Sequence, residues 1–195
     1  GLCARSGFFF PATHTCKVPF FDAFFSDLGD AQSIELKISS FSGHVLKFKE
    51  ILENLTTQSL VLLDELNTAT DPEEGSALSR AVLEALLDQN AIVVATTHDP
   101  ILKALASVDA RIVNACMAFD ETALTPTYRI IIGTPGRSRA LDTAQRLGLP
   151  SLVLQKARNY LSQNHRDFET YLSSMEQEGQ KAAQLRREAQ YLQSR

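Results

Sequence analysis

The sequence predicts an α/β domain with a mainly parallel sheet, followed by a helical arm. Three observations point there. Short continuous apolar runs at residues 60–63 and 92–95 read as strands buried on both faces. Segments with helical apolar spacing separate them, and strands alternating with helices favour a parallel sheet. After residue 150 glycine nearly vanishes, Gly179 being the exception, and charge density rises.

The elements follow in order. Residues 2–6 read as the end of a helix closed by Gly7, because glycine adopts the left-handed cap conformation without steric cost. Residues 20–27, aromatic and preceded by Pro19, read as a strand. A polar stretch leads to Val45, Phe48, Ile51, Leu52 and Leu55, which repeat at helical spacing with Ser42 as the N-cap. Strand 60–63 comes next. A loop containing Pro72 opens a helix over about residues 73–88. Glu73 and Glu74 in its first turn suit the positive end of a helix dipole. Strand 92–95 follows, then a helix over 100–106. Residues 112–119 and 128–132 read as two strands around a Thr-Pro turn, and residues 133–136 break the chain. In the arm, Phe168, Tyr171, Met175, Ala182, Leu185, Ala189 and Leu192 keep alternating three- and four-residue steps. That is a heptad seam, interrupted at Glu178 and Gly179. We expect a domain over residues 1–150 and a helical, coiled-coil arm over residues 151–195. The plainer alternative is a long surface helix packed on its own domain.

The composition is that of an ordinary soluble globular chain, with 44% hydrophobic and 22% charged residues. A net charge of -4 argues against a strongly basic nucleic-acid surface within these residues. No run approaches the ~20 apolar residues of a membrane span. The start carries no secretory pattern, so a cytoplasmic protein without a membrane partner is expected. Cys3, Cys16 and Cys116 lack metal-ligand spacing and read as free thiols. The chain opens on Gly1, in what reads as a helix tail, and we expect a piece of a longer parent, truncated at both ends.

The strongest chemical signal is Leu60-Val61-Leu62-Leu63-Asp64-Glu65. A buried strand ending in two carboxylates places them at the C-terminal edge of the sheet, where nucleotide sites of open α/β folds lie. Asp64 there could hold Mg²⁺, and Glu65 could polarise an attacking water. The bland alternative is a strand that ends in solvated acids. The second strand runs into Thr96-Thr97-His98-Asp99, so His98 reaches the same edge and could sense a γ-phosphate. A lone loop histidine is otherwise a surface residue. Ser39-Ser40-Phe41-Ser42-Gly43-His44 opens a helix, and the N–H groups of a helix start suit a phosphate. An ordinary cap would look the same. Thr70-Asp71-Pro72 alone is a turn and cap.

In this order the elements resemble the ABC-type P-loop ATPases. There is a glutamine loop at Gln32, a serine-rich signature turn at residues 40–44, a Walker B strand ending in Asp64 and Glu65, a D-loop over residues 67–72, and a switch histidine at His98. Asp30-Ala31-Gln32-Ser33-Ile34-Glu35 with Ser40-Phe41-Ser42-Gly43-His44 is similar to the MutS superfamily rather than to transporter ATPases. Thr70-Asp71-Pro72-Glu73-Glu74-Gly75, Ala95-Thr96-Thr97-His98, Pro126-Thr127-Tyr128-Arg129, Ile132-Gly133-Thr134-Pro135-Gly136-Arg137-Ser138 and Arg146-Leu147-Gly148-Leu149-Pro150 narrow it further. They resemble the recombination-suppressor branch, the endonuclease-type MutS homologues.

The resemblance implies an ABC-type P-loop NTPase that binds ATP and Mg²⁺ and dimerises with a second copy through its ATP sites. Asp64 would organise Mg²⁺, Glu65 would position water and His98 would sense the γ-phosphate. Gln32 would couple nucleotide to the rest of the protein. Ser42 and Gly43 would complete the opposite subunit's site, and Asp71 would belong to the nucleotide-contacting D-loop. The family binds branched or mismatched DNA and restrains recombination, and some members act on collided ribosomes. DNA and the ribosome are therefore the implied partners. The rivals are another ABC-type DNA-repair ATPase and a module that uses nucleotide to dimerise without hydrolysis. The sequence departs from the family pattern in three ways. It contains no G-x-x-x-x-G-K-[ST] string, which the family carries upstream of residues like 2–7. Asn67 and Ala69 stand where glycines are usual. The family's nuclease domain is not among these residues.

Overall fold

Three short strands form a parallel sheet in the order β1-β2-β3: β1 (Ala23–Asp27), β2 (Ser59–Leu63) and β3 (Ile92–Ala95). Asp27 pairs with Leu63, and Leu63 with Ala95, so the three strands end level at one edge. Helix α1 (Ser40–Asn54) connects β1 to β2, and α2 (Pro72–Asp88) connects β2 to β3. A short helix α3 (Pro100–Ala104) and a 3₁₀ turn (Leu105–Ser107) follow. Next come an antiparallel pair, β4 (Ala115–Asp120) and β5 (Thr125–Ile132), then α4 (Ala140–Arg146), α5 (Ser151–Tyr160) and a 31-residue α6 (Gln163–Gln193). The computed structural model describes residues 2, 6–8, 16–28, 40–66, 71–120, 125–161 and 163–193. The expectations for Cys3, Gln32 and residues 67–70 lie outside these. The chain is therefore mixed α/β, and it divides into two compact units, Gly1–Leu105 and Ala106–Arg195.

In the first unit, β2 is the central strand. Ser59, Val61 and Leu63 are buried and Leu60 and Leu62 half-buried, because helices and neighbouring strands leave little of it open. Helix α2 starts where the sequence punctuates. Asp71 caps it by accepting from the N–H of Glu73 (3.0 Å) and Glu74 (3.1 Å), and Pro72 follows in the first turn, where a missing N–H costs nothing. Gly75, Ser76, Ser79, Val82 and Leu86 form its buried face. Small residues near its start allow close approach, and larger ones farther along fill the core.

Two expectations for this unit need correction. Residues 92–95 do form a strand, but Ile92 is 51% and Val94 57% exposed. β3 lies at one edge of the described sheet, and its face carrying Ile92 and Val94 stays open among the described residues. Ser42 is not the N-cap of α1 either, because the helix begins at Ser40. Phe41, His44 and Phe48 share one helical face over a common cleft, and packing Phe41 there draws the helix start upstream.

The second unit corrects the hairpin. Thr125 and Pro126 are not the turn but the first residues of β5, paired with Asp120 and Phe119. A register shift between Met117 and Phe119 absorbs the irregularity, and Thr127 donates its hydroxyl to the carbonyl of Ala118. Arg139 covers the Phe119 ring, 4.4 Å from its centroid. Helix α6 is continuous through residues 178–179. Its most buried described side chain is Leu172, which lies off the heptad seam, whereas Tyr171, Leu185 and Leu192 on the seam are exposed. Helix α6 packs on β5.

Gly179 has a structural reason to interrupt the seam. A Cβ at this position would fall on the Oγ1 of buried Thr134 and lie 3.0 Å from its Cβ and 3.1 Å from its Cγ2. Gly179→Val is expected to cost ~1–3 kcal/mol by overpacking. It should loosen α6 from β5, so limited proteolysis should cut the variant's helix faster. Unchanged resistance would mean that this contact does not hold the helix.

Candidate nucleotide site at the sheet edge

The parallel register sets the site. Because β1, β2 and β3 end level, Asp27, Asp64 and Thr96 sit side by side at the C-terminal edge. The N–H of Asp64 donates to the carbonyl of Asp27 (2.7 Å), and the N–H of Thr96 to that of Leu63 (2.9 Å). Beyond the strands, the Leu66 N–H donates to the Thr96 carbonyl at 3.0 Å. The backbone pairing thus continues past the acidic pair and fixes it.

Thr96 orients the Asp64 carboxylate and anchors the Glu65 backbone. Its hydroxyl donates to Asp64 Oδ1 and accepts from the N–H of Glu65 at 2.9 Å. Glu65 has φ of 51°, a left-handed conformation that costs a non-glycine residue about 1–3 kcal/mol. The bond to Thr96 helps to hold that turn, which takes Glu65 off the strand line.

The start of α1 lies against these acids. Asp27, Phe41, His44, Phe48, Asp64, Glu65 and Gly75 line one small cleft. His44 Nδ1 donates to Asp27 Oδ2 at 2.6 Å, with both side chains largely shielded from solvent. Ser42 and Gly43 are in the first turn of the same helix. Asp71 is not a wall of the cleft. It caps α2, whose Gly75 is. His98 follows Thr96 by two residues in the loop after β3 and is exposed. Asp99 beside it caps α3 through the N–H of Ile101 (2.7 Å) and accepts from the Ser76 hydroxyl, which ties the histidine loop to α2.

Of the sequence-predicted residues, the structure brings Asp64 and Glu65 together with the helix that carries Ser42 and Gly43. It puts His98 on the adjacent strand's exit and Asp71 at the base of α2. Gln32 is outside the described residues. The sequence reading missed Thr96, Asp27 and Ser76 altogether and assigned nothing to His44. Thr96 and His44 lie inside quoted motifs, and that was their only signal.

No helix among the described residues is long and apolar enough to cross a membrane. Cys16 and Cys116 are free thiols, the first exposed and the second buried.

A family profile described as MutS domain V matches residues 1–165. An Endonuclease MutS2 of Lacticaseibacillus casei is 44% identical over 188 residues, covering 96% of this chain and 24% of that protein. One from Alkaliphilus metalliredigens is 42% identical over 196 residues, 97% of this chain and 25% of its own length. A Putative endonuclease MutS2 of Bacillus subtilis is 41% identical over 181 residues, 93% and 23% respectively. The chain thus spans about a quarter of the length of these relatives. A profile match over most of the chain and identities above 40% leave one assignment: the chain belongs to the MutS domain V family, in the MutS2 branch of the MutS superfamily.

Proposed function

We propose that this chain carries the ATP-hydrolysing edge of a DNA-binding MutS2-type protein, acting on branched or mismatched DNA to restrain recombination. The observation that supports it most is the Asp64–Glu65 pair, held by Thr96 at the level end of a parallel sheet and faced by the start of α1. In this reading the ATPase part takes residues 1–150 and the helical arm residues 151–195. The nuclease step in the relatives' names is assigned to another part of the parent.

The residues fit Mg²⁺. Carboxylate and hydroxyl oxygens are the hard donors it takes, and it is commonly held by one or two carboxylates together with substrate phosphates. Bound there, the ion would neutralise phosphate charge. Asp64, oriented by the Thr96 hydroxyl, would hold it. Glu65 accepts a hydrogen bond from water and aims it at the γ-phosphate. His98 contacts that phosphate from the neighbouring strand exit. Gln32 and Asp71 relay the nucleotide state. Two copies pair so that Ser42 and Gly43 face the nucleotide of the other subunit, where helix N–H groups and the positive dipole end favour a phosphate.

Asp64→Asn in the full-length parent tests the metal role. It keeps the shape and removes the charge. ATP affinity measured with Mg²⁺ should fall about tenfold or more, while affinity measured in excess chelator should change little. Equal loss in both conditions would place Asp64 outside the metal's reach.

A further inference from the structure

We propose that the Asp27–His44 pair is a positioning latch that sets the signature turn against the acidic pair. The inference rests on the ATPase reading given above. It concerns two residues to which that reading gives no role.

Asp27 is the last residue of β1, and its carbonyl accepts the N–H of Asp64 at 2.7 Å. Its position is therefore locked to the acidic pair through one backbone bond. Its side chain turns to α1 and accepts from His44 Nδ1 at 2.6 Å. His44 directly follows Gly43, so the bond fixes the helix at the residue next to the Ser42–Gly43 pair assigned to the opposite subunit's nucleotide. The two side chains are only 16% and 13% exposed, so water competes little for the hydrogen bond between them. The His44 ring leans on Phe48, with centroids 6.4 Å apart, which limits its rotation. Asp27, His44, Asp64 and Glu65 all line the same cleft. A continuous path results, from Gly43 through His44 and Asp27 to Asp64, and from Asp64 through Thr96 to Glu65. Both motifs are thereby referenced to one strand end.

Atom identity supplies the test. A carboxylate only accepts, so the latch needs a donor at the Nδ1 position. His44→Asn puts an amide nitrogen near that place. His44→Gln places its amide farther out, near Nε2, and fills more of the space beside Phe48. ATP turnover of the full-length parent is measured for Asn, Gln and Ala variants, with Glu65→Gln as the reference for a dead site. The latch predicts that Ala and Gln lower kcat by roughly ten- to a hundredfold, as expected for a misplaced group. KM for ATP should stay near parental, and Asn should recover most of the loss. Thermal unfolding of each variant shows whether it is folded. Should Ala not fold, the Asn–Gln pair decides alone.

Equal activity of Asn and Gln, or a better Gln, would make His44 a space filler and overturn the proposal. So would parental kcat in Ala. Those results alongside a dead Glu65→Gln would leave the ATPase reading standing. A parental protein without ATP turnover would overturn both.

Discussion

Glu65→Gln in the full-length parent is expected to stop ATP turnover while ATP stays bound. Gln keeps the length and shape of the side chain. It removes the charge that polarises a water, and such positioned acid–base groups contribute about 10²–10⁴-fold to rate. The backbone should not move, since the bond from the residue 65 N–H to Thr96 does not depend on the side chain. Single-turnover hydrolysis should therefore slow by at least about a hundredfold, with nucleotide affinity within a few-fold of parental. Parental hydrolysis in this variant would remove Glu65 from the chemistry.

The largest stability effect is expected at Leu86. It is fully buried on the inner face of α2. Leu86→Ala removes the transfer energy of the lost carbons and leaves a cavity that the neighbours fill only in part, at about 2–5 kcal/mol. Because α2 leads from the acidic pair to β3, the loss should appear at the site's own scaffold. Hydrogen exchange of the β2 amides reads the local opening energy, and protection there should drop by the corresponding factor. A change below about 0.5 kcal/mol, the range of a surface substitution, would mean that Leu86 is not a core residue.

Legibility in the sequence followed the range of the interaction. Strands β2 and β3 were visible because their apolar runs are continuous and end in polar residues. Helix α2 was visible because Asp71 and Pro72 act within one turn of it. The edge position of β3 was not visible. An apolar run looks the same in the centre and at the rim of a sheet, and strand order is set by pairing partners. The start of α1 was misjudged because three nearby serines can each cap, and the packing of Phe41 chose among them. Gly179 read as a flaw in a heptad seam, whereas its purpose is a close approach to Thr134, 45 residues earlier in the chain. In the site, Asp64 and Glu65 announced themselves by adjacency. Their supports did not. Thr96 bonds Asp64 across 32 residues and His44 bonds Asp27 across 17, and no local pattern encodes either pair.

The central claim is that Asp64 and Glu65 of one subunit work with Ser42 and Gly43 of another. Subunits carrying Ser42→Arg and subunits carrying Glu65→Gln, co-expressed in the full-length parent with two affinity tags, allow the mixed dimer to be isolated and its ATP turnover measured. Each variant alone should be inactive. In the mixed dimer both defects fall on one site, and the other keeps an intact Glu65 and an intact Ser42. The account predicts that activity reappears at roughly half the parental rate per dimer, as two-fold symmetry requires. A mixed dimer as inactive as its parents would show that each subunit uses its own Ser42, and would contradict the account.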